Sequence, residues 1–206
     1  MTEAEELARG CAELGLELSA GAHRQLLAYL QLLYKWNKVY NLTAIRKKEQ
    51  MISHHLLDSL AVVPHLWPGR WLDVGCGAGL PGLVLAMVRP DWNVTLLDSS
   101  SKKTSFVQQA IIELGLKNAS VHCARVEDFQ ASEKFDGIIS RAFTETADFV
   151  RITRHLLANR GQWAAMKGAP EQELQRLPGD VEVARLIPLQ VPGLNAARCL
   201  VVLKAK

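Results

Sequence analysis

WLDVGCGAGLPG, residues 71–82, brings Gly75, Gly77, Gly79 and Gly82 into one short stretch, with Gly69 just upstream and Pro81 near its end. Such glycine density weakens a strand and has no use in a packed helix. It suits a backbone that turns sharply and comes close to a ligand. The residues RWLDV read as a strand, and 80–88 read as a helix with Pro81 in its first turn. A helix start offers free N–H groups and the positive end of a dipole. The stretch therefore predicts a strand–loop–helix unit with a ligand at the loop. A glycine-rich turn that binds nothing is the plain alternative.

Outward from this loop the texture repeats. Apolar runs of strand length at 71–74, 93–97, 119–123, 135–139 and 161–166 alternate with helical patterns near 80–88, 101–114, 145–157 and 170–177. That alternation predicts a parallel sheet covered by helices. The end differs: 181–191 and 197–205 read as two strands joined by the PGLN turn, with no helix between them. They form an antiparallel hairpin at the sheet's edge. The expected fold is α/β and Rossmann-like, mostly parallel, over 67–206. Residues 1–66 carry no strand signal and read as a helical extension on the substrate side. There, Ser19 is an N-cap for a long helix with Leu26, Leu27, Leu30, Leu33 and Tyr34 on one stripe. NLT at 41–43 breaks that helix, and EQMISHHLLDSLAVV at 49–63 reads as another.

Composition narrows the class. Of 206 residues, 49% are hydrophobic and 22% charged, the profile of a soluble globular chain with a substantial core. No apolar run reaches the roughly 18 residues of a membrane span, and the acidic start MTEAEELARG is no signal peptide. Cys11, Cys76, Cys123 and Cys199 have no CxxC spacing, so they read as reduced thiols of a cytoplasmic protein without a metal site. A monomer is expected. The net charge of +3 permits a nucleic-acid partner without arguing for one.

GAGLPG at 77–82 is a literal GxGxxG, the dinucleotide pattern, whereas DVGCGAG at 73–79 is the acid-x-Gly-x-Gly-x-Gly loop of S-adenosylmethionine (SAM)-dependent methyltransferases. In the second reading Asp73 faces the cofactor's ammonium group, while Gly75, Gly77 and Gly79 approach its amino acid part and ribose. Asp98 ends the next strand 98 − 77 = 21 residues past Gly77, where an acid accepts the ribose hydroxyls in either class; a surface strand-end acid is the alternative. A nicotinamide enzyme usually continues into a second parallel half and a substrate domain, which this chain replaces with a hairpin. Asp73 also stands where dinucleotide loops usually carry an apolar residue. Both facts favour SAM.

Further loops reach the same sheet edge. CARVEDF at 123–129 offers the backbone of Val126 and the acids Glu127 or Asp128 to an adenine. ISRAF at 139–143 lacks the Asn/Asp-Pro-Pro-aromatic motif of amine-directed enzymes. It supplies Arg141 and Phe143, a pair suited to a phosphate or a stacked base, or else a surface ion pair. MKG puts Lys167 at that edge. In LDSSSKKTSF serines cap a helix whose first turn holds Lys102 and Lys103, where the dipole disfavours cations. A phosphate backbone or a solvated basic patch accounts for them. Lys35, Lys38, Arg46, Lys47 and Lys48, with Trp36 and Tyr40 interleaved, form a surface suited to RNA or simply a solvated face.

KWNKVYNLTAI, HHLLDSL, LDVGCGAGLPG, LLDSSSKKTSFV, RVEDF and FDGIISRAF together resemble the bacterial small-subunit ribosomal RNA guanine-N7 methyltransferases, the RsmG family, formerly GidB. The resemblance runs from about residue 30 to the C-terminus. It is specific because the NLT and HxLDS elements lie outside the general methyltransferase pattern. Cys76 stands where small or hydroxyl residues are common. The resemblance implies SAM as cofactor, N7-methylguanosine in the 530 loop of 16S rRNA as product, and the 30S subunit or its precursor as partner. It implies cofactor contacts at Gly75, Leu80, Val126, Glu127 and Arg141, with Asp98 on the ribose. Guanine N7 carries a free lone pair, so neither general base nor metal is required. Proximity and orientation then carry catalysis, worth roughly 7–11 kcal/mol. An acid or aromatic ring nearby would help the purine as it becomes cationic. No catalytic residue is singled out; Arg141, Phe143, Asn41, Thr43 and His55 are positioning candidates, with Asp58 beside His55. Lys102, Lys103, Arg46, Lys47 and Lys167 are RNA-binding candidates. Three other classes stay open: a methyltransferase acting on a small molecule or protein, a non-catalytic nucleotide-binding regulator, and an NAD-dependent oxidoreductase.

Overall fold

Residues 2–206 are described by a computed structural model. Helix α1 (Glu3–Glu13) opens with a capping box: Glu5 N–H donates to Thr2 Oγ1 at 3.2 Å, and Thr2 N–H donates to the Glu5 carboxylate at 2.8 Å. Helix α2 (Ala20–Tyr40) starts at Ser19, whose Oγ accepts the Ala22 N–H at 3.0 Å. Its apolar stripe turns Leu26, Tyr29, Leu30 and Leu33 inward. It stops at Asn41, which takes the left-handed conformation at φ +49° that asparagine tolerates best among residues with a Cβ.

The helix expected over 49–63 is not continuous. It consists of α3 (Lys48–Met51), a π-helical turn (Ile52–Leu57), α4 (Asp58–Leu60) and a 3₁₀ turn (Val63–His65). Nearly every side chain from Met51 to Val63 is buried, so no single polar face holds the segment to a 3.6-residue period. The wide turn is where its geometry departs from an α-helix.

The sheet has seven strands: β1 (Arg70–Val74), β2 (Asn93–Asp98), β3 (Ala119–Cys123), β4 (Phe135–Arg141), β5 (Leu157–Lys167), β6 (Val181–Leu189) and β7 (Arg198–Ala205). Their order is β3-β2-β1-β4-β5-β7-β6. The first five are parallel, and β7 runs antiparallel between β5 and β6. The C-terminal hairpin therefore forms the sheet's antiparallel edge, as its sequence predicts. Helices α5 (Gly82–Val88), α6 (Ser101–Glu113) and α7 (Thr146–Thr153) cover the sheet. Strand order reverses between β1 and β4, which opens a crevice at the carboxyl ends of those strands.

Several boundaries differ from expectation. The helix expected over 145–157 ends at Thr153, and β5 begins at Leu157 rather than 161. Thr153 is pinned there: its hydroxyl donates to Phe149 O at 2.6 Å and accepts the Trp163 indole N–H at 2.9 Å. The helix expected over 170–177 shrinks to one turn, α8 (Glu171–Leu174), which buries no residue and so has no packing to extend it.

Leucines of α1 and α2 share one apolar cluster with Leu83, Val84 and Phe106, so the N-terminal helices join α5 and α6 in covering one face of the sheet. Phe149, Trp163 and Val201 lie in the cluster on the other face. No helix among the described residues is long and apolar enough to cross a membrane.

Candidate functional site: a cofactor cavity and an adjoining cationic cleft

The glycine loop leaves β1 and is tied to the end of β2. Gly75 N–H and Cys76 N–H both donate to Leu97 O, at 2.8 and 3.1 Å, and Gly77 N–H donates to Asp98 Oδ2 at 2.9 Å. The other Asp98 oxygen accepts Ser100 N–H at 2.9 Å; Ser100 is the N-cap residue of α6, but its side chain makes no capping hydrogen bond. Gly75 requires its glycine twice over. Its φ is +67°, and a Cβ there would lie 2.3 Å from the Phe143 ring. Gly77, at φ +57°, is open: an added Cβ would meet nothing nearer than 4.0 Å. From the helical side, the buried Tyr29 hydroxyl donates to Ala78 O at 2.8 Å and pins the loop.

Asp73 lies wholly buried beneath the loop. Its Oδ2 accepts Gly82 N–H at 2.7 Å, and its Oδ1 has no partner among the described residues. Burial pushes its carboxyl up to about 7, against the opposing pull of the Gly82 hydrogen bond and the Arg141 charge. The same burial drives the Cys76 thiol well up, so it is no nucleophile.

A cavity of about 350 Å³ opens beside the loop, with Gly75, Asp98, Lys103, Val126, Glu127 and Phe143 in its wall. Five of these come from four separate strand ends or loops, and they include the expected ribose acid and the expected adenine acid. Asp128 is not in the wall. Asp73, Gly77, Gly79 and Leu80 shape the loop without lining the cavity. Lys103 lines the cavity, whereas Lys102 stays exposed.

Arg141 faces a second cleft, of about 420 Å³, whose wall includes His54, His55, Asp58, Arg141, Lys167 and Arg198. Ala142 lines both spaces and joins them. It is held at φ +51°, a conformation unusual for a residue with a Cβ and of the kind found at functional sites. Asp58 is the centre of the cleft's charge pattern. Its buried carboxylate accepts Arg141 Nη1 on one oxygen and Arg198 Nε on the other, each at 3.0 Å. Arg141 Nη1 also donates to the His54 carbonyl at 3.1 Å, a group within the π turn. Burial, with the Arg141 charge second, lowers the His55 imidazole to about 4. His55 is therefore neutral at pH 7. Its Nε2 lies 3.1 Å from Thr43 Oγ1, and its Nδ1 is buried without a partner among the described residues.

The other candidates spread out. Lys167 is engaged from behind by Glu173 at 2.8 Å and the Thr144 carbonyl at 2.7 Å, so it is a braced group and not a loose surface lysine. Asn41 is exposed, and its Oδ1 accepts Arg46 Nη2 at 3.1 Å on a separate shallow cleft with Tyr34, Asn37 and Lys38. Lys47 is exposed nearby. Reading the sequence missed Tyr29, Arg198 and the His54 carbonyl. Tyr29 is masked by a leucine stripe, Arg198 sits in an ordinary strand, and a carbonyl leaves no mark in the sequence.

The strand order, the loop and the cavity at the reversal point define a class I SAM-dependent methyltransferase fold. A solved glycopeptide N-methyltransferase, MtfA, complexed with SAM, superposes with a TM-score of 0.62 over 74% of this chain and 95% of that one, at 12% identity. The chain belongs to the family described as rRNA small subunit methyltransferase G (GidB), whose pattern matches residues 22–201. It is 57% identical over 198 residues to the ribosomal RNA small subunit methyltransferase G of Laribacter hongkongensis, covering 96% of each chain. It is 54% identical to the protein of that name from Chromobacterium violaceum, covering 95% of each.

Proposed function

We propose that this chain transfers the methyl group of SAM to N7 of a guanine in 16S rRNA, in the 530 loop, with the small ribosomal subunit or its precursor as partner and the cytoplasm as its place of work. The residues present suit SAM. Asp98 keeps lone pairs free beside the cavity for ribose hydroxyls, and Glu127 offers an acceptor for an adenine amine. Asp73 serves the loop from beneath, through the hydrogen bond it accepts from Gly82 N–H, and does not reach the cavity wall. SAM, when bound, supplies an electrophilic methyl group.

One observation carries the choice of acceptor: the two buried titratable groups of the cleft next to the cavity, Asp58 and His55, are not available as a base. Asp58 is saturated by two guanidiniums, and His55 is held at about 4, too weak to take a proton at pH 7. A nucleophile that must first lose a proton finds no partner in either group. Guanine N7 has a lone pair and no proton to lose. The chain's own work is then positional. The loop, Asp98 and Glu127 orient the cofactor, Phe143 closes over Gly75, and the cleft orients the acceptor. The experiment is genetic. Deleting the gene should remove a single N7-methylguanosine from the 530 loop of 16S rRNA, as read by nucleoside mass spectrometry of that fragment. A plasmid copy should restore it and an Asp98→Ala copy should not. An unchanged modification in the deletion strain refutes the proposal.

A further inference from the structure

The cationic cleft poses a problem for the acceptor it adjoins. The commonest arginine contact to guanine is bidentate, to O6 and N7. Here that contact is excluded, because a donor on N7 would occupy the lone pair that must attack. Positive charge beside the ring also opposes a purine that becomes cationic on methylation. Yet the cleft concentrates cations at the junction with the cofactor cavity. Arg141, Arg198 and Lys167 stand against Asp58, and counting Glu173 behind Lys167 still leaves one positive charge uncompensated. The arginines are aimed as well as present. Asp58, its side chain only 4% exposed, holds one nitrogen of each, while the π turn delivers the His54 carbonyl to Arg141. Among the described residues, Nη2 of Arg141 and Nη2 of Arg198 have no partner. Two guanidinium edges fixed by one buried carboxylate, with donors left over, match the oxygens of a phosphodiester.

We propose that this cleft clamps the backbone phosphate adjoining the acceptor nucleotide, with Arg141 and Arg198 as its donors and Asp58 as the positioning residue that fixes both. The proposal rests on the reading of the chain as an rRNA methyltransferase and adds where the nucleotide is held. A phosphate in the cleft neutralises the charge that would otherwise oppose N7 alkylation, and it leaves the base edge free. Asp58 joins residues 140 positions apart, tying the N-terminal helices to β7, so the clamp exists only when both ends of the chain are folded onto the sheet.

The test is filter binding of full-length protein to 30S particles from the deletion strain, in the presence of S-adenosylhomocysteine so that no transfer occurs. Kd is measured across a salt series. Arg198→Ala should weaken particle binding about tenfold and flatten the slope of log K against log salt by about 1, the signature of one lost phosphate contact. Asp58→Asn should weaken binding similarly by releasing both arginines. S-adenosylhomocysteine affinity, measured by calorimetry, should stay within twofold in Arg198→Ala. Arg151→Ala, which removes the same charge from an exposed ion pair on α7, should leave Kd unchanged. Arg198→Lys guards against misfolding: it should keep the salt slope and recover only part of the affinity. An Arg198→Ala Kd within twofold of wild type, or an equal loss in Arg151→Ala, overturns the clamp. Clamp-dependent binding without methyl transfer in the full reaction instead overturns the methyltransferase reading alone.

Discussion

Replacing Asp98 by alanine separates the two duties of its carboxylate. Within the protein it accepts Gly77 N–H and Ser100 N–H, each at 2.9 Å, at a site that opens onto a cavity. Water can take over both N–H groups there, so the loss to folding stability should be about 1–2 kcal/mol. Toward SAM the proposed duty is to accept both ribose hydroxyls. Hydrogen bonds to a charged acceptor are worth about 1.5–3 kcal/mol each. Two of them amount to about 3–6 kcal/mol, or a Kd raised roughly 10²- to 10⁴-fold at 1.4 kcal/mol per decade. Asp98→Asn keeps one acceptor oxygen and should fall between, at roughly 10- to 100-fold. Isothermal titration calorimetry with SAM gives the affinities, and a urea melt shows how much stability remains. If Asp98→Ala binds SAM within fivefold of wild type while folded, the ribose does not lie at Asp98 and the cavity has been assigned the wrong way round.

Gly75→Val combines a φ of +67° with a collision against Phe143, so SAM binding should be undetectable by calorimetry while the far-ultraviolet circular dichroism is kept; measurable binding at near wild-type affinity counts against the loop's role. Tyr29→Phe removes only the hydroxyl that holds Ala78 O; it should cost about 0.5–1.5 kcal/mol in a urea melt and loosen SAM binding severalfold. The pH dependence of stability should show two opposed groups. Asp73 has a folded value raised to about 7, so its contribution is present at acid pH and lost as pH rises toward 7. His55 has a folded value lowered to about 4, so its contribution is present above 6.5 and lost as pH falls through 4. The two nearly offset one another in the wild type. Asp73→Asn removes one of them, so its stability relative to wild type should climb between pH 4 and 7 by on the order of a few kcal/mol; a constant difference across that range refutes the buried-acid account.

What the sequence disclosed, and what it concealed, follows from the range of the interactions involved. The strand–loop–helix at 71–88 and the acid at Asp98 are local features, set by glycine, spacing and alternation; they are found, although α5 begins at Gly82 with Pro81 as its N-cap residue rather than in its first turn. The C-terminal hairpin was legible because no helix fits between its strands. Boundaries were lost where one tertiary contact decides them, as when Thr153 meets Trp163 and ends α7 early. The π turn was invisible because a segment buried on nearly all sides has no periodic stripe to distort. The pairing of Asp58 with Arg198 depends on β7 lying beside β5. Nothing near either residue announces it. Lys103 shows the converse: a lysine at a helix start looked like a surface cation, and only the position of α6 places it in the cavity wall.

The most direct test of the account is transfer of labelled methyl from SAM by the purified protein to 30S subunits lacking this modification, followed by nucleoside mass spectrometry of the labelled fragment. The account predicts one N7-methylguanosine per particle, confined to the 530 loop. Label at another atom or nucleotide, or none while SAM still binds, would contradict it.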